Sequence, residues 1–232
     1  MHRFWSTHQL SSRGSSTSAA GGILYTIPRT ELAVLQDPQL RRGNQHFRPS
    51  PWRGLLSLEE AARQLVVSVS QHARSGRRIR ESLDDAMDRI EAYLFTFGES
   101  TSWEPDIVFK MFNDLDRVFF RGVLYHRVYL RWLNISLDGN IAITDPPLPF
   151  VRPRVRITLY LQPMKEEGAT LYGVLGHLLH EMLHAYLMTL THGHDSERGY
   201  EYHGPHFQEC ARAIERRFCN AISVFDLHRD EA

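Results

Sequence analysis

The chain has 232 residues, 42% of them hydrophobic and 11% aromatic, enough apolar volume for one packed domain with accessory segments. Acidic and basic residues balance at 27 each, so the whole-molecule field offers no attraction to a polyanion, and a nucleic-acid partner would need a local patch. No apolar run approaches the roughly 20 residues that span a bilayer, and the N-terminal stretch lacks the apolar core of a secretory signal, which argues against membrane insertion and secretion.

In chain order, Arg3, Arg13 and Arg29 lie among serines before the first acidic residue, Glu31. That pattern loosely fits a mitochondrial import segment and fits a plain disordered tail better. Residues 11–22 are too small and polar to offset the entropy of ordering, and 37–53 is broken by Pro38, Pro49 and Pro51. Residues 1–54 therefore read as a flexible tail and linker. Ser57 followed by Glu60 is a capping-box pattern, and Ala61, Ala62, Leu65, Val66 and Val69 follow with helical spacing. Leu83, Met87, Ile90 and Leu94 mark a second amphipathic helix, so 55–100 is expected to form a helical appendage. Between the two helices, Arg74, Arg77, Arg78 and Arg80 read as a solvated loop. They are also the one cluster dense enough to grip phosphates, which sets the expectation of weak, salt-dependent binding to single-stranded DNA.

The main domain is expected over 103–228. Val108, Phe109, Phe112, Leu115 and Phe119 predict a helix opened by Pro105 and closed at Gly122. Strand alternation follows at His126, Val128, Leu130 and Trp132, and again at Val155, Ile157, Leu159 and Leu161. Between them an Asp138-Gly139 turn leads to a short Ile141/Ile143 strand. Thr170 is placed to cap a long helix reaching about Thr191, with Gly193 to end it. Gly204-Pro205 opens a last helix that buries Phe207, Cys210, Ala211, Ile214 and Phe218. Cys210 and Cys219, the only cysteines, would lie about 13 Å apart along that helix and cannot pair. Unpaired thiols fit a reducing compartment, hence an intracellular protein of nucleus or cytoplasm, with mitochondrial import as the other route. The element pattern is α+β.

The chemistry lies in the long helix. It is apolar on nearly every side, so His177, His180, Glu181 and His184 are costly there without partners. His180-Glu181-Met182-Leu183-His184 is an H-E-x-x-H sequence, whose two histidines share one helical face and can converge on one zinc ion. Glu181, about 100° around the helix, is close to that ion without having to ligate it, and is placed to take a proton from water. Seven of the 13 histidines fall between 177 and 206, which makes an accidental motif a poor explanation. His192 and His194 reach the site only if their loop folds back, and His177 is as well suited to a surface as to an orienting role. Tyr186, two residues past His184, is a candidate to reach an oxyanion but suits packing better. For a third ligand the spacing leaves His203 and His206 both open.

HEMLHAY at 180–186, followed by His203-Gly204-Pro205-His206-Phe207, resembles the SprT-like zinc metalloproteases, the family that includes Spartan. The run FNDLDRVFFRGVLYHRVYLRW at 112–132 resembles the same family's helix-to-first-strand segment. The resemblance implies a zincin-like fold with a small three-stranded sheet on the active-site helix. It implies His180, His184 and His203 as zinc ligands and Glu181 as general base. It further implies an endopeptidase acting on protein substrates, in the best-known members proteins bound or crosslinked to DNA. The C-x-x-C pairs of the zinc ribbon that many members carry are not found here. The alternative is a catalytically silent, zinc-stabilised adaptor; Glu181 argues against it, because a structural site needs no carboxylate there.

Overall fold

The computed structural model describes residues 56–70, 77–125, 127–136, 138–146, 154–191, 203–218, 222 and 224. The expected tail over 1–54, Arg74, His126, His192, Gly193, His194 and Cys219 lie outside them, as do the side chains of Arg77, Arg78 and Arg80. Among the described residues the fold is α+β, with six helices and one three-stranded sheet.

Helix α1 (Leu58–Ser70) begins where the capping pattern predicts, the Ser57 hydroxyl accepting from the Glu60 N–H at 3.1 Å. Only half of the box forms, because the Glu60 carboxylate turns to Arg63 and Gln64. Helix α2 (Arg77–Phe97) starts inside the stretch expected as a loop, and its Leu83, Met87, Ile90 and Leu94 are buried. Both helices belong to the core. Helix α1 packs on helices α3 (Asp106–Phe120), α5 (Leu171–Leu190) and α6 (Pro205–Arg217), and α2 packs on α3 and α5. One continuous hydrophobic cluster runs through them, from Ala61 to Val224. The reason is visible in α3, whose buried apolar residues exceed one face, Met111, Val118 and Phe120 among them, so that it needs helices on more than one side. The helices of the expected appendage pack against it.

Helix α3 ends with Arg121 and Gly122 both at positive φ, 59° and 72°, so the left-handed stop begins one residue before the glycine. Strands β1 (Val128–Leu133), β2 (Ala142–Asp145) and β3 (Val155–Tyr160) form a sheet in the order β1-β3-β2, with β1 parallel and β2 antiparallel to β3. Being central, β3 buries even Thr158, whose hydroxyl accepts from Arg131 Nε at 2.9 Å. The predicted third strand stops short of Leu161, which instead opens a short helix, α4 (Leu161–Glu166). Pro163 explains the change: it cannot donate to a ladder, and it fits a first helical turn. The sheet rests on α5 through β2 and β3. Thr170 caps α5 as expected, its hydroxyl accepting from the Gly173 N–H at 3.3 Å. None of the described helices is long and apolar enough to cross a membrane.

Candidate metal centre

Helix α5 runs through the middle of the core, which fixes its rotation and therefore the direction of every side chain on it. Its interior polar residues are nearly inaccessible: His180 is 2% exposed, Glu181 6% and His184 7%. Groups so buried need partners. His180 and His184, one turn apart, bring their Nε2 atoms to 3.2 Å. His203 arrives from the residue before Gly204, and Pro205 at the first position of α6 fixes the chain's direction there. The Gln208 side-chain amide donates to the His203 carbonyl at 3.0 Å, tying that turn to the helix it opens. His203 Nε2 then lies 3.0 Å from that of His180 and 3.2 Å from that of His184. Phe207 forms the apolar floor, its ring centroid 4.9 Å, 4.5 Å and 4.9 Å from those of His180, His184 and His203.

Three ring nitrogens in a nearly equilateral triangle cannot all be hydrogen-bonded to one another, since each is either an N–H donor or a bare acceptor and cannot be both. One proton is located by the surroundings. His180 Nδ1 lies 2.8 Å from the Val224 carbonyl, which can only accept, so Nδ1 donates and a neutral His180 turns a bare Nε2 toward the other two. Four-coordinate binding at about 2.0–2.1 Å places ligand nitrogens roughly 3.3 Å apart, close to the triangle observed. His180, His184 and His203 are close enough to hold one metal ion, and they are the one such group among the described residues. His177, half-buried a turn earlier on α5, and His206, half-buried in the first turn of α6, are outside it.

Glu181 sits beside this group rather than in it. Thr144, on strand β2, places its hydroxyl 2.5 Å from Glu181 Oε2 and 3.0 Å from the Glu181 carbonyl, so one hydroxyl proton serves two acceptors. Burial pushes the Glu181 carboxyl up to about 7; the Thr144 hydroxyl pulls the other way, and the nearby Asp145 carboxylate adds to the rise. Asp145 is itself paired with Arg156 at 3.2 Å. Tyr186 points away from the centre: its hydroxyl donates to the Ala61 carbonyl at 3.3 Å and its ring packs on Phe120. Cys210 is buried at the contact of α6 with α1, its thiol 3.7 Å from the Ala62 carbonyl, and burial pushes it up to about 12.

Two contributors carried no sequence signal. Thr144 lies 37 residues from Glu181 on a four-residue strand, and Val224 acts through a backbone carbonyl, which any residue possesses. Phe207 was legible as a buried position of the last helix and as the end of the His203–Phe207 segment that carries the resemblance, but not as a neighbour of all three histidines. Comparison with models of protein families, with curated proteins and with solved structures finds no match for the chain.

Proposed function

We propose that the chain is a zinc-dependent endopeptidase with a zincin-like fold, akin to the SprT-like proteases its motifs resemble. The observation that carries this reading is the placement of a buried carboxylate, Glu181, beside a three-histidine group that does not include it. Three imidazoles suit zinc, and catalytic zinc sites take three protein ligands where structural ones take four. The described residues offer three. That count favours the enzyme over the adaptor.

His180, His184 and His203 would hold the ion, which when bound supplies Lewis acidity to a scissile carbonyl and to water. Glu181 accepts a proton from water and passes it to the leaving amine. The Thr144 hydroxyl bonds Oε2 and so fixes the orientation of the carboxylate. Strand β2 is one of the two edges of the sheet and touches the active helix, a suitable place for an extended substrate peptide to add as a further strand. Proteins attached to or bound on DNA are the substrate class the resemblance suggests, with single-stranded DNA itself held weakly through the Arg74–Arg80 region.

The test compares the native chain with Glu181→Gln. Gln keeps volume and hydrogen bonding but cannot serve as a base, and losing a general base costs about 10² to 10⁴ in rate. We expect both proteins to carry about one zinc per chain by elemental analysis, and only the native chain to cleave a protein substrate. Undiminished cleavage by the variant removes Glu181 from the mechanism.

A further inference from the structure

A second chain of hydrogen bonds begins on α6 and ends on His180. Glu215, near the end of α6, accepts through Oε1 from the Val224 N–H at 2.8 Å. The carbonyl of that same residue accepts from His180 Nδ1, also at 2.8 Å. Ile222 and Val224 are buried in the hydrophobic cluster, so these two residues are anchored by apolar contacts as well.

The arrangement matters because the two neutral tautomers of histidine differ little in energy, and the hydrogen bond at one ring nitrogen decides which nitrogen is bare for a metal. A side-chain acceptor could adjust by rotation. A backbone carbonyl cannot, so its usefulness depends on what holds its residue. At Val224 that is the apolar burial of the side chain and one charge-assisted bond from the N–H to Glu215.

We propose that Glu215 is a positioning residue of the metal centre: it holds Val224 so that the Val224 carbonyl locks His180 with Nε2 bare. Metal affinity thereby depends on a carboxylate outside the three-histidine group, and Val224 is part of the centre. The proposal rests on reading His180, His184 and His203 as a metal site.

The experiment measures Zn²⁺ affinity of the full chain by competition with a chromophoric chelator, in the native protein and in Glu215→Ala, Glu215→Met, Glu215→Gln and Arg216→Ala. In parallel, nitrogen NMR of the metal-free proteins reads the tautomer of His180, and thermal unfolding reads their fold. Loss of an outer partner of a metal-binding histidine typically costs about 10- to 100-fold in affinity, and that loss is expected for Ala and for Met, which keeps the volume should Ala unfold. Gln retains the accepting oxygen and is expected within a few-fold of native, roughly as for any neutral acceptor. Arg216→Ala, at an exposed position of the same helix, is expected to bind as the native chain does. His180 should hold its proton on Nδ1 in the native and Gln proteins and lose that preference in the Ala and Met variants. Native-like affinity in folded Ala or Met variants overturns the proposal, as does a Gln variant as weak as they are. Failure of the native chain to bind zinc would instead sink the metal reading. The tautomer measurement then decides alone, and an unchanged His180 tautomer in the Ala and Met variants overturns the relay.

Discussion

His203 and His206 flank the first turn of one helix, yet only His203 joins the triangle with His180 and His184. We therefore expect His203→Ala to weaken zinc binding severely, since two ligands on one helix remain, while His206→Ala keeps the metal. Zinc titration of the two variants checks this, and the reverse outcome would transfer the ligand role to His206. Asp116 presents a different problem. Its carboxyl is buried and accepts from the N–H groups of Leu124 and Tyr125 at 3.0 Å and 2.9 Å, shaping the turn out of α3. Burial pushes it up to about 7, outweighing those two bonds and the nearby Arg117 and Arg127. A carboxyl raised on folding binds its proton more tightly in the native state than in the unfolded one. Its contribution is therefore full below about pH 4 and is lost as pH rises through about 7. Asp116→Asn gives up one accepting oxygen but cannot ionise. We expect the variant to be less stable than the native chain at pH 4 and the gap to narrow by on the order of a few kcal/mol by pH 8. Denaturant titrations of both proteins in the same metal state measure it; a gap constant with pH would show that Asp116 does not titrate on folding.

At the scale of elements, the centre depends on how α5 is held. Its N-terminal end is docked to the end of α2 by backbone bonds, from the Tyr172 N–H to the Gly98 carbonyl at 3.0 Å and from the Leu171 N–H to the Ser100 carbonyl at 3.1 Å. Gly98 makes that approach close. A Cβ at this position would press on the Tyr172 ring and, 2.5 Å away, on the Leu94 carbonyl, and a backbone oxygen cannot move aside cheaply. Gly98→Ala is expected to destabilise the fold by about 1–3 kcal/mol, in the range of overpacking, with zinc stoichiometry kept because the ligands lie two turns or more along α5. Thermal unfolding and elemental analysis check the two parts. The other end of α5 is tied as well: the Leu56 N–H donates to the Leu190 carbonyl at 2.8 Å, and Leu56 pairs with Thr191. Helix α1 thus belongs to the support of the centre.

For the whole molecule, one core beneath the centre implies that folding does not wait for the metal. We expect chelation to leave the helical circular dichroism nearly unchanged while lowering Tm, because an ion bound at about 1,000 times its Kd adds roughly 4 kcal/mol. Loss of secondary structure on chelation would instead mark a structural site of the kind that folds only when loaded. The sequence by itself determined five of the six described helices, their caps at Ser57 and Thr170, the three strands and the pairing of His180 with His184, because periodicity and i, i+4 spacing are local properties. Alternation predicted the strands' faces but not their order, which depends on which strand α5 lets into the centre of the sheet. Nor could local pattern show that α1 and α2 join the core, since an amphipathic helix reveals that it needs a partner and not which one. At the centre, only tertiary structure separated His203 from His206 among the residues themselves, brought Thr144 to Glu181, and set the Val224 carbonyl against His180. Those contacts join positions 19 to 44 residues apart, and two of them use atoms of the backbone, which no side-chain pattern encodes.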